Sequence, residues 1–281
     1  MRPEDFDFLS SLLKRRSGLN INPEKVYLLE SRLTPLARRR GMEGLDALIE
    51  TMRHRPAEDL LREVTEAMTT NESFFFRDRT PFDLFRDHVL PVLRERRASK
   101  RKIRIWCAAC STGQEPYSLA MLLDERAAQY RDWTFEIVGT DLSSAVLKKA
   151  REGLYSQFEV QRGLPIKLLM KYFTQEGDLW RLDKALRDRV TFREGNLLEN
   201  FSHLGTFDVV YCRNVLIYFD QPTKSNVLDR VRQVMPSDGT LFLGSAETVL
   251  GISDRFRPVR GHRGMYLPSD ADQAMLAAAS A

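Results

Sequence analysis

Residues 102–120, KIRIWCAACSTGQEPYSLA, determine how the rest of this 281-residue chain is interpreted. The first six letters predict a short apolar strand, and the spacing of apolar residues from Tyr117 onward predicts a helix. The loop between them is made of small residues, with Ala109, Ser111 and Gly113 in a degenerate G-x-G-x-G spacing. A parallel strand that turns into a helix over small residues lets a ligand approach the backbone and the helix N-terminus. On its own, the loop is also typical of a tight turn that binds nothing.

An acidic residue ends the next predicted strand and favours the ligand-binding interpretation. Residues 135–140, FEIVGT, are strand-like and stop at Asp141. In nucleoside-binding α/β folds, a carboxylate about 20–30 residues past the loop holds the ribose hydroxyls. Ligands in open α/β sheets lie beyond the carboxyl ends of the strands, so polar residues at these ends are site candidates. They are Glu115, Asp141, Asn196 and the pair Arg213 and Asn214.

Composition restricts the class of protein. The formal net charge is +4, with 43% hydrophobic and 29% charged residues, as in ordinary globular proteins. No apolar run approaches a membrane span, and the N-terminus lacks the order of a signal peptide, so we expect a cytoplasmic protein without membrane insertion. Three cysteines form no disulfide framework, which suits a reducing compartment. Cys107 and Cys110 make a single C-x-x-C without a second pair, so no metal is expected.

The predicted elements divide the chain into segments. Residues 1–70 predict an all-helical domain, 71–102 a linker and connecting helix, and 103–268 a doubly wound α/β domain. Residues 155–193 break the βα alternation and predict a small inserted subdomain. The tail 269–281 has no apolar stripe and is expected to be disordered. Helices of the first domain are predicted over 3–16, 24–40, 45–52 and 57–68.

Two polar segments admit both a structural and a functional interpretation. The string TTNESFFFRDR at 69–79 is either an aromatic linker or a site in which Asn71, Ser73 and Arg77 meet a polar ligand. Basic side chains also gather on one face of the predicted helix 24–40. Lys25, Arg32 and Arg39 recur there at heptad spacing, and Arg38 extends the basic end of the helix. This face is either solvated, with favourable charge at a helix C-terminus, or a dock for an acidic partner.

Five strings occur together: TNESFFFR, WCAACSTGQEPYSLA, GTDLS, GNLLE and FDVVYCRNVLIYF. Together they resemble the CheR family of chemotaxis-receptor glutamate methyltransferases, which use S-adenosylmethionine, and the resemblance extends to about Leu267. It implies an α/β fold, namely a Rossmann-like class I S-adenosylmethionine-dependent methyltransferase domain with an all-α N-terminal domain and a small inserted β-subdomain. It also implies methyl transfer to glutamates of the helical cytoplasmic signalling domain of chemoreceptors, by a monomer without a metal, with S-adenosylhomocysteine as product.

The resemblance assigns roles to individual residues. The residues expected to bind the donor are Asn71, Ser73, Arg77, Glu115, Asp141, Asn196, Leu197, Arg213 and Asn214. Arg77 and Tyr218 are expected beside the transferring methyl group as catalytic residues, although Tyr218 alone is also typical of an amphipathic tyrosine capping a sheet. The basic residues Lys25, Arg32, Arg38 and Arg39 are expected to dock the substrate. Ala109 and Ser111 depart from the wider methyltransferase pattern, which has glycines there, and Gln114 replaces a glutamate of some members.

Some sequence features suggest other functions. The basic run 94–104 suggests a nucleic-acid methyltransferase, but Arg213-Asn214-Val215-Leu216 stands where amino-methylating DNA enzymes carry N/D-P-P-Y/F, so no nucleic-acid partner is expected. The absence of G-x-G-x-x-G disfavours a nicotinamide oxidoreductase. A non-catalytic sensor that binds the donor stays open. In the inserted subdomain the turn TQEGD has a single glycine, Gly177, and predicts weak or absent binding of a receptor tether peptide.

Overall fold

The computed structural model describes residues 1–271, which form two compact units. One unit comprises Met1–Thr70 together with Tyr218–Thr223, and the other comprises Asn71–Ile217 together with the chain from Lys224 onward. No helix within residues 1–271 is long and apolar enough to cross a bilayer.

The first unit is helical, as the sequence predicts. Its helices are α1 (Pro3–Ser17), α2 (Val26–Arg39), α3 (Leu45–His54) and α4 (Glu58–Met68). Leu29, Leu33 and Leu36 recur at helical spacing in α2 and are buried in the core of this unit. The predicted helix over 24–40 starts instead as a 3-10 turn over Pro23–Lys25, because proline fixes the first turn and cannot donate a backbone hydrogen bond.

The second unit is built on a mixed sheet. The strands of this unit are β1 (Lys102–Ala108), β2 (Thr134–Asp141), β3 (Leu154–Ser156), β4 (Phe173–Glu176), β5 (Leu179–Leu182), β6 (Val190–Glu194), β7 (Val209–Cys212), β8 (Thr240–Leu243), β9 (Phe256–Pro258) and β10 (Met265–Pro268). The large sheet has the order β6-β2-β1-β7-β8-β10-β9, with β10 antiparallel to both of its neighbours. Because β1 lies between β2 and β7, the chain order reverses at β1, and ligands bind at such switch points.

The second unit also contains helices. They are α5 (Thr80–Leu84), α6 (Leu90–Arg96), α7 (Gln114–Asp124), α8 (Ser144–Glu152), α9 (Gln157–Gln161), α10 (Ile166–Tyr172), α11 (Lys184–Arg187) and α12 (Gln221–Gln233). The connecting helix predicted within 71–102 is interrupted by a π-helical turn at Phe85–Val89. Pro91 follows it, and a proline inside a helix cannot bond to the carbonyl four residues earlier, so the wider turn accommodates it.

The inserted subdomain is an antiparallel sheet with the order β3-β5-β4. The range predicted for it, 155–193, needs correction at its end, because Val190–Glu194 is β6 of the large sheet. Val190 pairs there with Ile137, and Phe192 pairs with Gly139. The alternating apolar side chains of Val190 and Phe192 are buried in the large sheet, which explains why this strand leaves the insertion.

The beginning of the predicted disordered tail is packed. Ser269 donates its backbone N–H to the Arg255 carbonyl at 2.9 Å, and Ala271 is buried. The rest of that prediction, over 272–281, lies outside the described residues.

Candidate active site

The loop after β1 holds a backbone conformation normally left to glycine. Ala109 and Ser111 have φ angles of 58° and 51°, in the left-handed region. This conformation costs a non-glycine residue about 1–3 kcal/mol, so the surroundings must enforce it. The Cys110 N–H donates to the Thr140 carbonyl at 2.9 Å, and the Ser111 N–H donates to Asp141 Oδ2 at 2.8 Å. The two residues that depart from the glycine pattern therefore preserve its backbone shape.

Gly113 closes this loop at the start of α7. Its φ is 91°, and a Cβ there would lie 3.0 Å from Ala150 Cβ, 3.1 Å from a ring carbon of Tyr117 and 3.2 Å from a ring carbon of Phe192. These distances are shorter than ordinary van der Waals contacts, and the φ angle is left-handed, so position 113 requires glycine. The close packing brings the N-terminus of α7 against α8 and β6.

Asp141 connects the first two strand ends. Its side chain is buried, Oδ2 accepts from the Ser111 N–H, and Oδ1 accepts from the Ser143 N–H at 3.0 Å. The Gly195 N–H after β6 donates to the Asp141 carbonyl at 3.0 Å. Charge-assisted bonds from backbone N–H groups fix a carboxylate firmly. The acid predicted for the ribose therefore lies at the carboxyl edge of the sheet, against the backbone of the small-residue loop.

A buried arginine joins the start of α7 to the aromatic loop. Arg213 donates from Nη1 to Glu115 Oε2 at 2.6 Å, and from Nη2 to Asp78 Oδ2 at 2.7 Å and the Arg77 carbonyl at 2.8 Å. The side chain of Arg213 is 1% exposed and that of Glu115 is 12% exposed. Burial raises the pKa of Glu115, and the charge of Arg213 opposes this shift. Arg213, predicted to line the donor, is thus also an internal counter-ion.

The three consecutive phenylalanines of the aromatic loop, defined as residues 71–79, have different environments. Phe75 is buried edge-on against Tyr155 at 5.0 Å and Phe173 at 5.6 Å, measured between ring centroids. Phe76 packs edge-on against Phe82 at 5.3 Å. Phe74 lies under Arg162, with 4.4 Å from the guanidinium carbon to the ring centroid. The loop is therefore pinned between the inserted subdomain and α5.

The same loop carries its polar residues beside the small-residue loop. Ser111 Oγ donates to the Asn71 carbonyl at 2.8 Å, and the Phe76 N–H donates to Ser118 Oγ at 2.9 Å. Arg77 is half-buried, and its Nη1 donates to the Glu72 carbonyl at 2.8 Å. Three residues of the loop have left-handed φ, namely Phe76, Asp78 and Arg79. Backbone of this kind persists where the surrounding structure holds it, and it is concentrated at functional sites.

The inserted subdomain also reaches the small-residue loop. The Tyr155 hydroxyl on β3 donates to the Thr112 carbonyl at 2.8 Å. Tyr155 is fully buried, and its ring packs against both Phe75 and Phe173. One tyrosine therefore contacts the aromatic loop, the small-residue loop and the second strand of the insertion.

The remaining residues of this unit that are predicted to bind the donor lie in the turns after β6 and β7 and in the aromatic loop. Asn196 is half-buried, and its Oδ1 accepts from the Leu198 N–H at 3.1 Å, which forms an Asx turn that places Leu197 in a buried position. Asn214 has a φ of 59° directly after Arg213. Ser73 is half-buried in the aromatic loop.

The sequence reasoning missed Glu247, which lies after β8. It is buried, its Oε2 accepts from the N–H groups of Asn214 and Gly244, and its Oε1 accepts from those of Val215, Leu216 and Ile217. The only signal was an acid four residues past the buried strand TLFL, farther from its strand than Asp141, which is the last residue of β2.

Tyr218 and the predicted docking residues belong to the helical unit. The Tyr218 carbonyl accepts from the Asn20 N–H at 2.9 Å, and its side chain is half-buried. Lys25, Arg38 and Arg39 are exposed. Arg32 instead donates to the Met68 and Thr69 carbonyls at 2.7 and 3.0 Å, so it caps the C-terminus of α4.

Metal ligation finds no support in the side-chain arrangement. Throughout residues 1–271, His, Cys, Asp and Glu side chains form no group of three or more that could hold a metal ion.

A doubly wound sheet with one reversed strand, a small-residue loop after β1 and an acid at the end of β2 are typical of a nucleoside-binding α/β domain, and the family model that matches this domain makes it an S-adenosylmethionine-dependent methyltransferase. Residues 71–265 match the model described as CheR methyltransferase, SAM binding domain, and residues 4–69 match CheR methyltransferase, all-alpha domain. The chain belongs to the CheR methyltransferase family. The family resemblance and the fold class predicted from the sequence are thereby confirmed.

Curated relatives match over nearly their whole length. The chain is similar to "Chemotaxis protein methyltransferase Cher2" of Pseudomonas putida, with 37% identity over 93% of this chain and 96% of the relative. It is also similar to chemotaxis protein methyltransferase 1 of Pseudomonas aeruginosa, with 39% identity over 93% of this chain and 96% of the relative. The corresponding protein of Vibrio cholerae is 38% identical over 90% of this chain and 92% of its own length. The chain is therefore an S-adenosylmethionine-dependent chemotaxis protein methyltransferase.

Proposed function

We propose that this enzyme transfers the methyl group of S-adenosylmethionine to glutamate side chains of the helical cytoplasmic signalling domains of chemoreceptors, giving methyl esters. The observation that carries the proposal is the Glu115–Arg213–Asp78 ion cluster, which brings the start of α7 and the aromatic loop together at the switch point of a CheR-type sheet. The names of the relatives support chemoreceptors as the substrate class.

The residues present fit the donor. The small-residue loop presents backbone with no side chain larger than threonine between residues 108 and 113. Arg213 Nε is buried and has no hydrogen-bond partner within residues 1–271. We assign donor binding to Asn71, Ser73, Arg77, Glu115, Asp141, Asn196, Leu197, Arg213 and Asn214. When bound, S-adenosylmethionine supplies an electrophilic methyl group on a positively charged sulfonium, and S-adenosylhomocysteine remains as product.

The acceptor requires orientation more than proton transfer. A glutamate carboxylate has an ordinary pKa near 4.3 and is already ionised at neutral pH, so no general base and no metal is needed to activate it. The protein must hold one carboxylate oxygen in line with the methyl group and remove water without leaving the charge unpaired. We assign the pairing to Arg77, whose guanidinium is anchored by the Glu72 carbonyl. Tyr218 is assigned the orientation of the attacking oxygen through its hydroxyl.

Substrate docking is assigned to the basic residues of α2 and the turn before it. Lys25, Arg38 and Arg39 are exposed and suit an acidic helical surface. Arg32 caps α4 and supports this surface from within the unit. We further propose a cytoplasmic monomer that takes no nucleic acid and binds a receptor tether peptide weakly or not at all, for which a micromolar complex in calorimetry would be the contrary result.

Methyl transfer from radiolabelled donor tests the proposal. Purified enzyme is incubated with a receptor signalling domain, with tRNA and with duplex DNA. We expect base-labile label on receptor glutamates, because carboxyl methyl esters hydrolyse in alkali. Label on nucleic acid would favour a nucleic-acid methyltransferase, and binding of S-adenosylhomocysteine without any transfer would favour a donor-binding sensor.

A further inference from the structure

The carboxylate of Glu247 is the acceptor for a continuous row of backbone donors. The N–H groups of Val215, Leu216 and Ile217 lie 2.9, 2.7 and 3.3 Å from Oε1. Those of Asn214 and Gly244 each lie 2.7 Å from Oε2. A buried carboxylate that accepts five backbone N–H groups satisfies donors that would otherwise be left without partners after β7.

The segment that Glu247 holds, residues 214–217, has a conformation that it would not keep alone. Asn214 has a φ of 59°, in the left-handed region. A Cβ at position 244 would lie 2.6 Å from Asn214 Nδ2 and 2.7 Å from Glu247 Oε2, so any larger residue there would displace these side-chain ends. Consecutive N–H groups that converge on one point form an anion-binding concavity, and here the protein fills it with its own side chain.

We propose that Glu247 is a positioning residue for methyl transfer. It fixes residues 214–217, which are preceded by Arg213 of the ion cluster and followed directly in the chain by Tyr218. This inference rests on the proposed function, in which Asn214 binds the donor and Tyr218 orients the acceptor. Glu247 itself acts through the backbone that it holds.

The charge and shape of the side chain make a sharp test possible. In Glu247→Gln, one oxygen is replaced by an NH₂ group of nearly the same size. In one amide orientation NH₂ faces the two donors of Asn214 and Gly244, and in the other it faces the three donors of Val215, Leu216 and Ile217. Either orientation replaces two or three hydrogen bonds by contacts between donors, so the loop must move.

A matched control is available at the opposite end of the same strands. Asp208 precedes β7, its Oδ1 accepts from Arg97 Nε at 2.7 Å, and its Oδ2 accepts from the Arg104 N–H at 2.8 Å. Asp208→Asn also sets an NH₂ group against a donor, at a carboxylate whose side chain is 12% exposed. It does so at the amino ends of β1 and β7, away from the carboxyl edge where the proposed site lies.

The experiment measures kcat and KM on a receptor signalling domain, the Kd for S-adenosylhomocysteine with its stoichiometry, and the thermal midpoint. For Glu247→Gln we expect kcat to fall about ten- to a hundredfold, since a displacement near 1 Å at a reacting group has this effect. We expect the stoichiometry to stay at one per chain, which separates displacement from unfolding. Asp208→Asn is expected to lower the thermal midpoint comparably and leave kcat within about twofold.

Two results would overturn the inference. The first is a wild-type kcat in Glu247→Gln. The second is that Glu247→Gln and Asp208→Asn lose kcat equally, each in proportion to a reduced stoichiometry of S-adenosylhomocysteine binding. A wild-type enzyme that methylates no receptor would instead refute the proposed function. If Tyr218→Phe retains full turnover while Glu247→Gln loses it with full stoichiometry, the positioning role stands and the role of Tyr218 is refuted.

Discussion

Removing the buried counter-ion gives the most informative perturbation of the ion cluster. In Arg213→Met the side-chain volume is nearly kept, but Glu115 loses the partner 2.6 Å away while its side chain is only 12% exposed. Asp78 keeps 34% of its side chain exposed and can return to water, so the cost falls mainly on Glu115. Removing one partner of a buried pair costs about 3–5 kcal/mol, and we expect the free energy of unfolding to fall by about that amount at neutral pH.

The double variant Arg213→Met with Glu115→Gln is the control. Because it removes both charges, we expect it to recover about 2 kcal/mol relative to Arg213→Met. Urea unfolding followed by circular dichroism measures both. Additive losses in the double-mutant cycle, or a loss below about 1 kcal/mol in the single variant, would refute the assignment of Arg213 as the counter-ion of Glu115.

The pH dependence gives a second readout of the same substitution. Burial raises the pKa of Glu115 in the folded protein, and Arg213 opposes this shift, so its removal raises the pKa further. A carboxyl whose folded pKa exceeds the unfolded value binds a proton more tightly when folded. Its contribution to stability is fully present below the unfolded pKa and is lost as pH rises through the folded pKa. We therefore expect the deficit of Arg213→Met to shrink as the pH is lowered from about 7.5 towards 5.5, and a constant deficit would contradict this reasoning.

The remaining predictions concern the proposed catalytic residues, the small-residue loop after β1 and the proposed docking surface on α2. Arg77→Ala and Tyr218→Phe are expected to lower turnover with an unchanged thermal midpoint, and wild-type turnover in either would remove that residue from the mechanism. Gly113→Ala is expected to cost about 1–3 kcal/mol and to weaken S-adenosylhomocysteine binding in calorimetry, because the left-handed φ and the 3.0 Å approach to Ala150 leave no room for a methyl group. Replacing Arg38 and Arg39 by glutamate is expected to raise the KM for the receptor and to make that KM less dependent on salt, while kcat at saturating substrate stays constant. An unchanged KM would exclude this face of α2 as the docking surface.

The polar residues at the carboxyl edge of the large sheet could be predicted from local sequence, because each signal lies within one strand and the turn after it. The loop before Gly113 and the acid ending β2 are local features, and both lie at the carboxyl edge as predicted. In each case, side-chain periodicity and a turn residue were sufficient.

Long-range partners were not predictable in the same way. Glu247 accepts from residues 30–33 positions away along the chain, and Arg213 reaches Glu115 across 98 positions. The pattern identified Arg213 as polar at a strand end but could not distinguish a ligand contact from an internal one, and it did not identify Glu247 at all. The predicted C-terminal boundary of the insertion was wrong for a related reason. The apolar alternation of Val190–Glu194 is the same whichever of the two sheets the strand joins.

Tyr155 limits how these enzymes can be recombined. Its hydroxyl bonds to the Thr112 carbonyl while its ring packs on Phe75 and Phe173. A chimera that takes its inserted sheet from a homologue would therefore also replace a side chain that packs against the small-residue loop after β1. Transplants designed to alter receptor choice need to retain this aromatic trio, or catalytic defects will be mistaken for altered selectivity.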